Sequence, residues 1–345
     1  MQSKITLAHG SGGRDSAVLM RDIFGRYFSN PILDRLEDGA VLAFSSADDA
    51  GAVVVSTDSF VVTPIEFAGG DIGKLSVCGT VNDVLMMGAH PKYLTCGFIL
   101  EEGLETVQLD KIASSMAKTA SAAGVQVVAG DTKVISGSGG LFINTTGIGV
   151  SRKLIDGHEP PSAAHAMPGD AVIVSGNLGD HHACILSARM GIGNGIKSDC
   201  AVLSEIVDAL YASGVGIHTM RDVTRGGLAT VLNEISAASG VRIELSDELI
   251  PVDPEVRAFC GVMGLDPLYM GNEGKMIAIV PAEDAARALE AMRSFEIGKN
   301  AGIIGSVTDD LTSDNRQNGF VTIRTKIGGT RRIDMLFGEG LPRIC

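Results

Sequence analysis

Tryptophan is absent from this 345-residue chain, and aromatic residues of all kinds make up only 4%. No apolar run approaches the roughly 20 residues that a membrane helix needs. Residues Met1–Gly13 are polar and Gly-rich, with no apolar segment of the kind a secretory leader requires. A cytoplasmic location is therefore expected. The six cysteines are Cys78, Cys96, Cys184, Cys200, Cys260 and Cys345, and no pair forms CxxC. That spacing excludes a zinc ribbon or a redox dithiol, and the first five read as small buried hydrophobes. Basic residues are outnumbered, 28 against 41 acidic, for a formal charge of −13. Phosphate backbones and anionic membranes would be repelled, so neither a nucleic-acid nor a membrane partner is expected. A nucleotide could still be held through a bound metal. No Walker A or GxGxxG pattern occurs: Gly73-Lys74 lacks both the upstream glycine and the following Ser or Thr. If ATP binds, it uses another nucleotide fold.

Glycine, by contrast, is abundant: 44 residues, against a usual share of about 7%. Length favours two domains. Periodicity predicts helices over Arg14–Phe28, Asp71–Met87 and Thr106–Ala123. It predicts strands over Ala40–Ser45, Ala52–Ser56, Tyr93–Leu100, Val125–Ala129 and Leu141–Val150. The texture changes near Asp156–Asp170, where prolines and polar residues cluster, which places a domain boundary. The second half predicts helices near Ala183–Met190, Val202–Tyr211, Gly226–Ala238, Pro254–Met263 and Glu283–Ser294. Its strands are Ala171–Ser175, Val241–Leu245, Lys275–Val280, Ile303–Val307 and Val321–Thr325. The alternation indicates α/β or α+β architecture. The expected division is 1–155, 156–335 and a hinged tail, 336–345, loosened by Gly338 and Gly340 and stiffened by Pro342.

The carboxylates recur in similar settings, beside small or polar residues where a strand runs out or a helix begins. They are Asp48-Asp49, Asp58, Asn82-Asp83, Asp131 and Asp222. Asp58 and Asp131 each follow an apolar stretch and a short polar pair, which would set them at the lip of a sheet. Converging carboxylates need cations, and Mg²⁺ with a polyphosphate meets that need. Ordinary strand-end and cap aspartates are the bland alternative. The loop His9-Gly10-Ser11-Gly12-Gly13 could wrap phosphates through its N–H groups. Cys345, the last residue, is a thiol anchored on one side only, suited to accepting a group in one place and delivering it in another.

The stretches HGSGG, STDSFVVTP, GGDIGKLSVCGTVNDVLMMGA, GDTKV, SGNLGDH, MRDVTRGGLA, GNEG and the final PRIC, in this order across the whole chain, resemble the HypE family of hydrogenase maturation factors. That family lies within the PurM-like (aminoimidazole ribonucleotide synthetase) superfamily. The resemblance implies two α/β domains, the first dimerising and the second covering an ATP site. It implies that Cys345 receives a carbamoyl group from a HypF-like carbamoyltransferase and that ATP-dependent dehydration turns this into a thiocyanate. The cyanide then passes to iron on a HypC–HypD-like scaffold. By the same resemblance Gly12, Gly13, Lys74, Asn82, Asp83 and Thr132 bind the nucleotide. Asp49, Asp58, Asp83, Asp131 and Asp222 face Mg²⁺, Glu273 is the base and Lys133 the cation near the carbamoyl oxygen. Two residues depart from the family pattern: Glu66 in PIEF, and His182 where glycine is usual. Rival readings are a selenophosphate synthetase or thiamine-phosphate kinase type of enzyme, or a non-catalytic thiol carrier.

Overall fold

The computed structural model describes residues 13–19, 21–22, 31, 33–42, 52–152, 159–309, 319–338 and 344–345. Gly12, Asp49 and, of the expected hinge, Gly340 and Pro342 lie outside them. After a short helix α1 (Arg14–Leu19), the first half runs through β1 (Ala40–Leu42), β2 (Val53–Phe60) and the two-residue strands β3 (Glu66–Phe67) and β4 (Gly70–Asp71). It continues with α2 (Ile72–Met86), β5 (Ala89–Glu101), α3 (Thr106–Ala122), β6 (Gln126–Ile135) and β7 (Leu141–Ser151). The main sheet has the order β1-β2-β7-β5-β6. Its pairs are antiparallel except β5 with β6, which are parallel and joined by the crossover helix α3.

Helix α2 is apolar or small on every side and buries nearly all of its side chains, as a helix enclosed between layers must. Asp71 caps it by accepting from the Lys74 N–H at 2.9 Å. Helix α3 is amphipathic and buries only Ile112, Met116 and Ala120.

The second half contains β8 (Ala171–Val174), α4 (Asp180–Met190), α5 (Ser204–Ala212), β9 (Thr219–Asp222), α6 (Gly227–Ser239) and β10 (Arg242–Ser246). Then follow α7 (Pro254–Met263), β11 (Met276–Val280), α8 (Ala285–Arg293), β12 (Gly302–Thr308), β13 (Phe320–Arg324) and β14 (Thr330–Ile333). Its sheet has the order β14-β13-β10-β12-β8-β11-β9. Strands β8 and β11 are buried along their whole length, so this sheet is covered on both faces. One apolar core lies on its far face around Val174, Leu232 and Ile243. The other runs continuously into the first half, joining Ile173, Ile206 and Met276 to Leu75, Val81 and Phe60.

Two expectations need correction. Asp58 and Asp131 do not follow their strands but lie inside them: Asp58 pairs with Thr145 across β2 and β7, and Asp131 with Gly97 across β6 and β5. Ladder hydrogen bonds to a long neighbour carry each strand through polar residues that would end it in isolation. Strand β9, which carries Asp222, was not expected from the sequence; its four residues, TMRD, hold one large apolar side chain and no alternation to read.

Candidate active site

Asp83 projects from α2 toward the second half, where Asp222 closes β9. A Ser56 hydroxyl from β2 donates to Asp83 at 2.6 Å. Burial and the charges of Asp222, Asp38 and Asp58 hold the Asp83 carboxyl well above the usual range. Burial and Asp38 do the same to Asp222, against the opposing pull of Arg221. Asp38 was not singled out in the sequence. It pairs with the Arg221 guanidinium at 2.6 Å, and burial pushes it up to about 6. Four carboxylates therefore share one neighbourhood, with Arg221 on one side and Arg225 3.8 Å from Asp58 on the other. Excess negative charge of this kind is what a divalent cation would relieve.

The turn Gly271–Lys275 forms the opposite wall. Asn272 is fully buried and fixes it: its side chain accepts from Gly179 N–H at 2.7 Å and donates to Val223 O at 2.9 Å. Asp199 receives the N–H groups of Glu273 and Gly274 at 3.1 and 3.2 Å, and Lys275 Nζ lies 3.2 Å from it. Gly274 is obligatory, because a Cβ there would stand 2.0 Å from the Asp199 carbonyl oxygen. The result is a rigid platform that presents Glu273, only 3% exposed, with its Oε1 buried and without a hydrogen-bond partner among the described residues. Burial, then Asp199, Asp58 and Asp222, raise the Glu273 carboxyl well above its ordinary range, while Arg225 opposes them.

The sequence expects a hinged tail; the structure finds its end docked in this cleft. Ile344 and Cys345 are 5% and 4% exposed. Val61 N–H donates to the Cys345 main-chain oxygen at 2.8 Å, just past β2. Burying the Ile344 side chain stabilises docking by about 2 kcal/mol. Burial raises the Cys345 thiol far above the ordinary range, Arg225 opposes this, and Glu273, Asp58 and Asp222 reinforce it. The thiol thus sits in the shared field of Glu273, Asp58, Asp222 and Arg225. Arg225 in turn has its proton affinity raised first by Cys345 and then by Asp58 and Glu273.

Other expected residues fall elsewhere. Asn82 uses both ends of its amide on the second half, donating to Ala201 O at 3.0 Å and accepting from Leu203 N–H at 2.9 Å. It acts as a staple across the cleft floor. Lys74, in the first turn of α2, donates to Gly69 O at 3.0 Å. Gly13 packs on Leu336, whose oxygen accepts from Arg14 N–H at 3.0 Å. Asp131, Thr132 and Lys133 lie on the edge strand β6, all exposed, with Lys133 2.6 Å from Asp131. Within one chain they stand outside the cleft. His181, buried beside this wall, meets the Ile344 oxygen. The two departures are local: Glu66 pairs with Lys111 on α3. His182 is buried and is pushed down to about 4 by burial and by its neighbour His181.

Family profiles agree with this architecture. Residues 36–151 match the AIR synthase related N-terminal domain and 167–314 the C-terminal domain. The carbamoyl dehydratase HypE of Azotobacter vinelandii is 48% identical over 349 residues, covering 99% of this chain and 97% of that protein. A crystal structure of hydrogenase maturation protein HypE in complex with ATP superposes with a TM-score of 0.80 at 47% identity, covering 99% and 100% of the two chains. A HypE–HypF complex superposes with a TM-score of 0.83 at 44% identity, covering 92% of this chain and 99% of that one. With two AIR-synthase-type domains and a tail thiol enclosed between them, the chain belongs to the HypE family of carbamoyl dehydratases.

Proposed function

We propose that the cleft dehydrates an S-carbamoyl group carried on Cys345 to a thiocyanate at the expense of ATP. The observation that carries this reading is the docked, water-excluded sulfur of Cys345 lying within the field of Glu273 and Arg225. An amide oxygen leaves poorly until it is phosphorylated. The γ-phosphoryl group of ATP is therefore transferred to the carbamoyl oxygen, and ADP departs. The carbamoyl nitrogen then loses its two protons as the C–O bond breaks and inorganic phosphate leaves, giving S–C≡N. Glu273 takes a proton from that nitrogen in this reading, supported by its burial beside Asp199 and Arg225. Burial favours its protonated form, and positive charge brought into the cleft favours the carboxylate that acts as the base. Arg225, beside Asp58, offsets the negative charge that develops on the oxygen. Closure of the tail keeps water from the phosphorylated intermediate.

Asp58, Asp83 and Asp222 suit Mg²⁺, which would neutralise charge on the transferring phosphoryl group. Among the described residues no three His, Cys, Asp or Glu side chains converge into a cage. This fits an ion held by one or two carboxylates with phosphate oxygens completing its shell. Asp49 and Gly12 belong to the same proposal. So do Gly13, Lys74 and Asp83 as nucleotide contacts. Asp131, Thr132 and Lys133 would join a nucleotide site through a second copy paired along β6, which is the proposed homodimer contact. Carbamoyl supply by a HypF-like transferase, cyanide delivery to a HypC–HypD-like complex and a cytoplasmic location complete the reading. The domain limits 1–155 and 156–335 with a reactive tail, 336–345, are part of it too. Among the described residues no helix is long and apolar enough to cross a membrane.

The test is intact-mass analysis after incubation with ATP, Mg²⁺, carbamoyl phosphate and the transferase. A carbamoyl adduct on the terminal peptide should appear and then lose one water. A persistent adduct with no loss of water in the presence of ATP would overturn the dehydration, and an adduct on another residue would overturn the role of Cys345.

A further inference from the structure

Resting on the reading that Cys345 reacts while docked, we propose that His181 is the latch that holds the C-terminal arm in the cleft. It acts as a positioning residue and does not touch the reacting atoms. His181 is the second residue of α4 and is fully buried. Its ring stands edge-on to Phe67, centroids 5.4 Å apart and planes at 86°. Nε2 faces the Ile344 main-chain oxygen across 163 residues of sequence. A carbonyl can only accept, so Nε2 carries the proton. Nδ1 faces the Ser198 hydroxyl at 2.7 Å and accepts from it. Ser198 is itself fixed: its N–H donates to Ala68 O at 2.8 Å and its Oγ accepts from Cys200 N–H at 3.1 Å.

The ring is thus clamped by Phe67 and Ser198, and its remaining donor is given to the tail. A histidine serving only the core would be satisfied within its own domain; this one completes its hydrogen bonding only when residue 344 is present. Among the described residues the arm's other main-chain tie near the cleft is Val61 N–H to Cys345 at 2.8 Å. The latch also adjoins the platform of Glu273. His182 N–H donates to Gly271 O at 3.2 Å. Gly271 leaves the space that the Ile344 side chain fills, since a Cβ there would lie 2.8 Å from Ile344 Cδ1. The first turn of α4 therefore holds the tail and abuts the turn that aims the base. Losing the latch strands a buried carbonyl and shifts the arm toward the undocked state.

Iodoacetamide labelling of the full chain, read peptide by peptide, tests the proposal. His181→Leu removes the donor but fills the space, and labelling of Cys345 should rise by about tenfold or more. The five other cysteines should keep their wild-type rates, which shows that the fold is intact. His181→Gln keeps an N–H donor near the Nε2 position and should restore most of the protection. Wild-type labelling in the Leu variant, or a Gln variant as exposed as Leu, would overturn the latch. Should general labelling show that His181→Leu does not fold, Ser198→Ala removes the hydroxyl that aims the ring. It must give the same selective rise, and no rise there counts against the proposal. Labelling reads docking alone. A protected Cys345 in a protein that makes no thiocyanate would therefore count against the chemistry and leave the latch standing.

Discussion

Strands β6 and β9 each form the end of a sheet and each carries an aspartate beside polar residues, yet all ten residues of β6 are exposed and all four of β9 are buried. The difference lies in what covers them. Strand β9 is packed against α2 from the other half, so Asp222 is held beside Asp83. Among the described residues nothing buries β6, and Val128 and Val134 are 55% and 67% exposed on it. An uncovered edge with apolar side chains invites another strand, whereas a covered edge forces its polar residues into one another's field. Similar local signals therefore produced a buried charge cluster in one place and an exposed edge in the other.

Four changes would break or sharpen that contrast. The largest effect is expected at the covered side. Glu273→Gln should lower the dehydration rate by about 10²–10⁴-fold while leaving carbamoylation of Cys345 intact. Single-turnover mass analysis checks this, and a rate within a few fold of wild type would remove Glu273 as the base. Next, Val128→Lys puts a charge on the open edge. It should convert a dimer to monomers in sedimentation without lowering the melting temperature of the monomer. An unchanged dimer would place the contact elsewhere.

Asp222→Asn should weaken Mg²⁺-ATP binding. It should also raise the melting temperature of the ligand-free protein, since it removes one member of a crowded cluster. Calorimetry with and without Mg²⁺ decides it; unchanged nucleotide affinity would take Asp222 out of the site. The smallest effect concerns Asp180, which begins α4. Burial and the charges of Asp199 and Asp253 push it up to about 7 from an ordinary 3.8, while Lys275 opposes them. The folded protein binds this proton more tightly than the unfolded chain. Its contribution to stability is therefore complete below about pH 4 and is lost as pH rises through 7. Asp180→Asn should flatten the fall in melting temperature between pH 5 and 8, relative to wild type. An unchanged slope would mean that Asp180 does not titrate there.

Much of the fold was legible from local pattern. Helices α3 and α7 carry clear apolar periods and α2 a long apolar run, with strong boundaries such as Asp71 before α2 and Pro254 at the start of α7. Strand ends were less legible, because cross-strand pairing extended β2 and β6 through Asp58 and Asp131. At the site, the sequence singled out Asp58, Asp83, Asp222, Glu273 and Cys345, and the structure brings them together. Arg225 lay inside the stretch MRDVTRGGLA without a role of its own, and Asp38 carried no signal, because an ion pair such as Asp38 with Arg221 joins residues far apart in the chain. A cue was present for Asp199: an aspartate beside buried Cys200 in a segment without regular structure has to satisfy its charge somewhere, and it does so on the Glu273 turn.

The sequence by itself determined the chemistry available: a thiol at Cys345, an excess of carboxylates, and glycines where chains must pass closely. These are properties of single residues and short periods. Only the tertiary structure decided which carboxylates face one another, that the tail lies docked, and that Asp131 and Lys133 stand apart. Those outcomes depend on which surface covers which, and burial, not residue type, sets the strength of a charge.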